Sequence, residues 1–146
     1  MKMSTSMNYF NTLGMAKKSY NMILAPVCSK WELTRNELDI LLFLANNPEY
    51  DRAADIVAVR RIAKSHVSLS VGNLEKRGLL VRTYGDDDRR TAHLQLTEPA
   101  RVIVREGQHL QKKFFTGMFA DLNRQELEQW GRILDKICTN IEAMEI

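Results

Sequence analysis

Residues 64–97 read KSHVSLSVGNLEKRGLLVRTYGDDDRRTAHLQLT. In the first part, Val67, Val71 and Leu74 recur at steps of four and three, which places them on one face of a helix, toward a core. Ser65, Leu69, Gly72 and Lys76 lie about half a turn away, flanked by Ser68 on one side and by His66 and Asn73 on the other. Gly78 stands where a left-handed residue commonly ends a helix. Two strand-like runs follow. LLVRTY (79–84) is rich in β-formers, and TAHLQL (91–96) alternates, with Ala92, Leu94 and Leu96 on one face. Gly85 to Arg90 then forms a hairpin tip that sets three acids directly before two arginines.

Upstream of this unit, RAADIVAVRR predicts a third helix capped by Asp51, with a short turn at Ile62-Ala63 leading into the helix above. The second helix starts at a Thr34–Glu37 capping box with Leu33 and Leu38 placed as a hydrophobic staple. It runs through ELDILLFLA to about Ala45, is apolar nearly all round, and is expected at the centre of the core. The first helix is predicted from about Tyr9 to Lys30, with Phe10, Leu13, Ala16, Tyr20, Ile23 or Leu24, and Val27 in one stripe. Pro26 removes a hydrogen bond to the Met22 carbonyl there, so a kink is expected.

Downstream, Thr97 is the expected cap of a fifth helix, with Pro99 tolerated in its first turn and Ile103, Leu110, Phe114 and Met118 as its stripe. Asn123 and Glu126 open a sixth. Its apolar positions Leu127, Trp130, Leu134, Ile137, Ile141 and Met144 alternate steps of three and four, the seam of a coiled-coil-like helix. The fold class is therefore mainly α with a small β-hairpin: helix, turn, helix and wing.

The chain has 146 residues, 45% hydrophobic and 27% charged, which suits one domain with a buried core. No apolar run reaches the ~18 residues that span a bilayer, and MKMSTSMNYF lacks the apolar stretch of a secretory leader. The expectation is a cytoplasmic protein with no membrane partner. Cys28 and Cys138 are far apart in sequence and form no metal-ligand or C-x-x-C spacing, so neither a disulfide, a metal nor another cofactor is expected. Phosphate loops and nucleophile motifs are also missing from the sequence, and His66, His93 and His109 are scattered, which argues against an enzyme.

Charge is unevenly placed. Residues 52–90 hold nine Lys/Arg against five Asp/Glu, whereas the rest of the chain holds twelve against thirteen. A concentrated positive excess points to a polyanion. The small, polar outer face of the fourth helix fits a major groove about 12 Å wide. Ser65, His66 and Ser68 would hydrogen-bond bases or phosphates, Leu69 would touch a thymine methyl, and Lys64 and Lys76 would meet phosphates. Two accounts of the tip stand side by side. In one, Asp88 or Asp87 orients an arginine toward a narrow minor groove. In the other, GDDD is a solvated turn whose charges pair locally and contribute little.

The run from Ser65 to Ala100 resembles the winged helix-turn-helix of MarR-type transcriptional regulators. The residues that carry the resemblance are Leu74-Glu75-Lys76-Arg77-Gly78-Leu79, Asp88-Arg89-Arg90 and Leu96-Thr97, and the six predicted helices fall in the family order. The resemblance implies a single domain over 1–146, with a DNA-binding lobe at 34–97 and dimerisation helices at 9–30 and 98–146. It makes Arg90 the minor-groove arginine and Asp88 its orienting partner. The turn departs from the family pattern: Arg61 and Ala63 replace the usual Gly and Ser, and Arg61 becomes a candidate phosphate contact. The full expected DNA-contacting set is Arg61, Lys64, Ser65, His66, Ser68, Leu69, Asn73, Lys76, Arg82, Asp88, Arg89 and Arg90. The expected homodimer interface uses Phe10, Leu13, Leu127, Trp130, Leu134, Ile137, Ile141 and Met144.

The resemblance further implies a repressor that binds a pseudo-palindrome in double-stranded DNA, with release by a small aromatic effector. Tyr20, Trp31, Phe43 and Phe114 would line the effector site, although aromatic residues at helical spacing also serve as plain core. Two alternatives remain from the sequence. One is redox sensing through Cys28 or through Cys138, the latter expected to be buried. The other is a winged helix that binds protein instead of DNA.

Overall fold

The computed structural model describes residues 4–85 and 90–144. Six helices and one hairpin occur in the order α1 (Thr5–Trp31), α2 (Arg35–Asn46), α3 (Ala53–Arg60), α4 (Lys64–Lys76), β1 (Leu80–Tyr84), β2 (Ala92–Leu96), α5 (Glu98–Met118) and α6 (Arg124–Glu142). Residues up to Lys112 form one compact unit and those from Lys113 a second.

In the first unit, α2 is the central element. Leu38, Ile40, Leu41, Leu42, Phe43 and Leu44 are all buried. Around them pack Leu24 and Val27 of α1, Ile56 of α3, Val67, Val71 and Leu74 of α4, Leu80 and Leu94 of the hairpin, and Ala100, Ile103 and Val104 of α5. Gly107 lets α5 come close to α2. A Cβ built there would lie 2.8 Å from a methyl of the buried Leu42, inside contact distance.

The local signals explain the element ends. Thr34 and Glu37 form the reciprocal capping box at α2, and Asn123 with Glu126 forms another at α6. Gly78 has φ +71°, and the Leu79 N–H reaches back to the Leu74 carbonyl at 2.9 Å, closing α4 with a Schellman turn. α1 ends the same way with Glu32 in the left-handed region, the Leu33 N–H bonding the Cys28 carbonyl at 2.9 Å. β1 and β2 pair antiparallel in the register Leu80 with Leu96 through Tyr84 with Ala92.

Several expectations need correction. α1 starts earlier than Tyr9, at Thr5, because Ser4 accepts the Met7 N–H as its cap. Asp51 does not cap α3. Arg52 occupies that position, and the Asp55 carboxylate accepts from the Arg52 N–H and guanidinium. Asp51 is turned instead toward the hairpin. The Thr97 hydroxyl, expected to cap α5, donates to the Gly78 carbonyl at 2.7 Å.

In the second unit, an aromatic series connects the end of α5 to α6. Phe114 meets Phe115 edge-on, Phe115 stacks on Phe119 at 6.2 Å, and Phe119 meets Trp130 edge-on at 5.0 Å. Cys138 is exposed rather than buried, and its thiol lies 3.6 Å from the Glu142 carboxylate. It sits beside the apolar stripe of α6, on the wet side.

Candidate nucleic-acid interface

The α4 surface follows the helical period. Val67, Ser70, Val71 and Leu74 are buried, while Lys64, Ser65, His66, Ser68, Leu69 and Lys76 are exposed and Gly72 and Asn73 are half-buried. Leu69 shows 65% of its surface, so an aliphatic side chain stands proud among hydroxyls. Ala63 offers no side-chain oxygen at the start of α4. The N–H groups of the first turn therefore keep their donor capacity, at the positive end of the helix dipole.

The turn into α4 hinges on Arg61. Its φ of +53° puts a long cationic side chain where glycine is ordinarily preferred. The side chain is exposed at the edge of the helix-turn-helix. Arg90 is also exposed, at the base of the hairpin tip. Asp88 and Arg89, together with Asp86 and Asp87, lie outside the described residues.

The hairpin is tied down at two points. The Leu94 N–H donates to the Asp51 carbonyl at 2.6 Å, and His93 Nδ1 lies 2.8 Å from an Asp51 carboxylate oxygen. On the other side, Arg82 Nε donates to Glu75 at 2.8 Å, joining β1 to α4. The sequence gives Glu75 and His93 no role at the site, and it makes Asp51 only a helix cap. The signal for Glu75 was available, since it is the only acid between Lys64 and Lys76.

Behind the interface, Asp39 of α2 stands 2.8 Å from Arg35 and 3.7 Å from Arg60 at the end of α3. Burial pushes the Asp39 carboxyl above its ordinary range despite both arginines. Arg35 also donates to Asn21 at 2.9 Å and covers the ring of Tyr20 at 5.0 Å.

The four aromatic residues assigned to an effector have separate surroundings. Phe43 is buried in the core and stacks on Tyr50 at 6.3 Å. The Tyr20 hydroxyl accepts from Gln111 at 2.7 Å. The Trp31 indole donates to Glu106 at 2.9 Å, beside Lys30, which reaches the other oxygen at 2.6 Å. Phe114 is half-buried in the second unit. Burial raises the Cys28 thiol pKa, which disfavours the reactive thiolate.

Residues 31–91, which contain α2, the helix-turn-helix and the hairpin up to its tip, match the model of the MarR family. Over these residues the chain is similar to the MarR family. Among curated relatives, it is 31% identical to the transcriptional repressor MprA of Escherichia coli K12 over 83 residues, 57% of this chain and 47% of MprA. It thus matches about half the length of that relative. Solved structures agree on the fold over nearly the whole chain. MepR of S. aureus, in its complex with DNA, superposes with TM-score 0.76 at 18% identity, covering 94% of this chain and 96% of MepR. CouR of Rhodococcus jostii RHA1, bound to p-coumaroyl-CoA, gives 0.72 at 23% identity, covering 87% and 86%. Among the described residues, no helix is long and apolar enough to cross a membrane.

Proposed function

We propose that this protein is a cytoplasmic, sequence-specific transcriptional regulator of the MarR type that represses by binding double-stranded DNA as a homodimer. Residues 34–97 form the DNA-binding lobe, and residues 9–30 and 98–146 supply the dimerisation helices. Each α4 enters a major groove and each hairpin tip places Arg90 in the adjoining minor groove. The half-sites of a pseudo-palindrome are then about one helical turn, roughly 10 bp, apart. The observation that carries this reading is the outer face of α4. Ser65, His66, Ser68 and Leu69 are exposed together beside Lys64 and Lys76, while the opposite face is buried. The DNA in the MepR complex supports it.

The dimer rests on apolar side chains left at the surface of the single chain: Phe10 and Leu13 on α1, Trp130 and Ile141 on α6, and Met144 just after it. Leu127, Leu134 and Ile137 are half-buried along the same α6 stripe. Release by a small aromatic ligand completes the proposal, supported by the p-coumaroyl-CoA held by CouR. Tyr20 and Trp31, both half-buried, would meet it, whereas Phe43 lies within the core.

The test is selection of binding sequences from random duplexes, repeated with aromatic acids and with peroxide. A palindromic consensus whose binding falls steeply with salt is expected. Recovery of no enriched sequence would overturn the proposal. Sensitivity to peroxide but not to aromatic acids would replace the effector by Cys138, the exposed thiol.

A further inference from the structure

We infer that Glu75 is a specificity-determining residue that withholds Arg82 from the DNA backbone. This rests on the DNA-binding reading above. Glu75 of α4 and Arg82 of β1 form an ion pair that joins the helix to the hairpin, with Nε to Oε1 at 2.8 Å. Both groups keep contact with water, the side chains being 29% and 41% exposed. Glu75 is also the sole acid of α4, a helix otherwise lined on its open face by lysines, hydroxyls, His66 and Leu69.

An unpaired acid at that place would repel a polyanion at every sequence alike. An unpaired arginine would attract one at every sequence alike, because phosphate contacts carry no base information. Pairing cancels both effects. It also fixes β1 against α4, since Arg82 faces Leu94 in the ladder and Leu94 is the residue anchored on Asp51. The sequence reading assigned Arg82 to DNA. The geometry makes it a strut whose charge is already spent on Glu75, leaving discrimination to the α4 side chains.

The experiment compares the full-length protein with Glu75→Gln, Arg82→Gln and the double variant, on a selected duplex and on a scrambled one, across a salt series. Glu75→Gln frees Arg82. Its affinity for scrambled DNA is expected to rise about three- to tenfold at 0.1 M salt, and the slope of log affinity against log salt to steepen by about one. The ratio of specific to scrambled affinity should fall accordingly. Arg82→Gln is expected to weaken both duplexes through the exposed acid, with the slope unchanged, and the double variant should return to the wild-type slope. If Glu75→Gln leaves slope and scrambled affinity as they were, the inference is overturned. If Glu75→Gln does not fold, Arg82→Gln decides alone: a slope shallower by about one makes Arg82 a direct phosphate contact and overturns it. Should the wild-type chain bind neither duplex, the DNA reading and this inference fall together.

Discussion

The Arg77 guanidinium donates a 2.6 Å hydrogen bond to the carbonyl oxygen of Trp31, and a second of 2.8 Å to that of Glu32. These are carbonyls at the end of α1, where intrahelical donors run out and the dipole is negative. A residue directly after α4 thus closes a helix 45 residues earlier in the chain.

Arg77→Ala removes a charged donor from both carbonyls. The bonds are exposed, so the loss is expected near the low end for charge-assisted hydrogen bonds, about 1 kcal/mol. Urea unfolding checks it: the midpoint should fall while the slope holds. An unmoved midpoint would show that water serves the two carbonyls as well as Arg77 does.

Arg61→Gly is expected to stabilise the fold. Holding a side chain in the left-handed region costs about 1–2 kcal/mol. Glycine's greater freedom in the unfolded chain returns about 0.5–1 kcal/mol of that. The net gain should be roughly 0.5–1 kcal/mol, read as a higher melting temperature. The same variant loses a cation at the edge of the helix-turn-helix. If Arg61 meets a phosphate, the salt slope of DNA binding becomes shallower by about one while stability rises. A less stable variant would show that the Arg61 side chain gives the turn more than its backbone costs.

Acid should separate Glu106 from Asp39. Hydrogen bonds from Lys30 and then from the Trp31 indole hold the Glu106 carboxyl below its ordinary range. The native state there binds fewer protons than the unfolded chain, so this contribution is present above the ordinary carboxylate range and lost as pH falls through it. Asp39 is raised by burial and has the opposite sign: the native state takes up its proton first, which adds stability as pH falls. Melting curves between pH 3 and pH 7 are therefore expected to converge for wild type and Glu106→Gln toward acid. Wild type and Asp39→Asn should diverge in the wild type's favour relative to their neutral-pH difference. Parallel curves for Glu106→Gln would mean that the Lys30 and Trp31 bonds do not favour the charged carboxylate.

What the sequence made legible was periodic or chemically capped. The faces of α4, the boxes at Thr34 and Asn123, the Gly78 stop and the alternation around Leu94 all follow from spacing alone. Polar partners chosen by tertiary packing were not legible. Asp51 has the residue type of a helix cap, yet the hairpin passing beside it offers His93 and the Leu94 N–H, and the acid turns that way. Arg82 read as one more cation in a basic segment because nothing in spacing reveals that Glu75, seven residues earlier, stands within 2.8 Å of it. Cys138 was assigned to the core from its place beside an apolar stripe, and a shift of one position around the helix put it in water.

The same exposure on α1 supplies the sharpest test of assembly. Phe10 shows 69% of its surface, edge-on to Tyr9 at 5.3 Å, with Met7, Leu13 and Met15 also open. An aromatic side chain this exposed contributes little to the fold of one chain, but burying it against a second copy would be worth about 1.5–3 kcal/mol for each protomer. Phe10→Glu would instead place two charges in a symmetric interface. It is expected to elute as a monomer at micromolar concentration in light-scattering chromatography, with its melting temperature dependent only on what the dimer contributed. Leu69→Glu on α4 is the matched control, equally exposed and equally altered in charge. It should stay dimeric and lose DNA binding. If Phe10→Glu remains a dimer while Leu69→Glu dissociates, the two faces have been assigned the wrong way round.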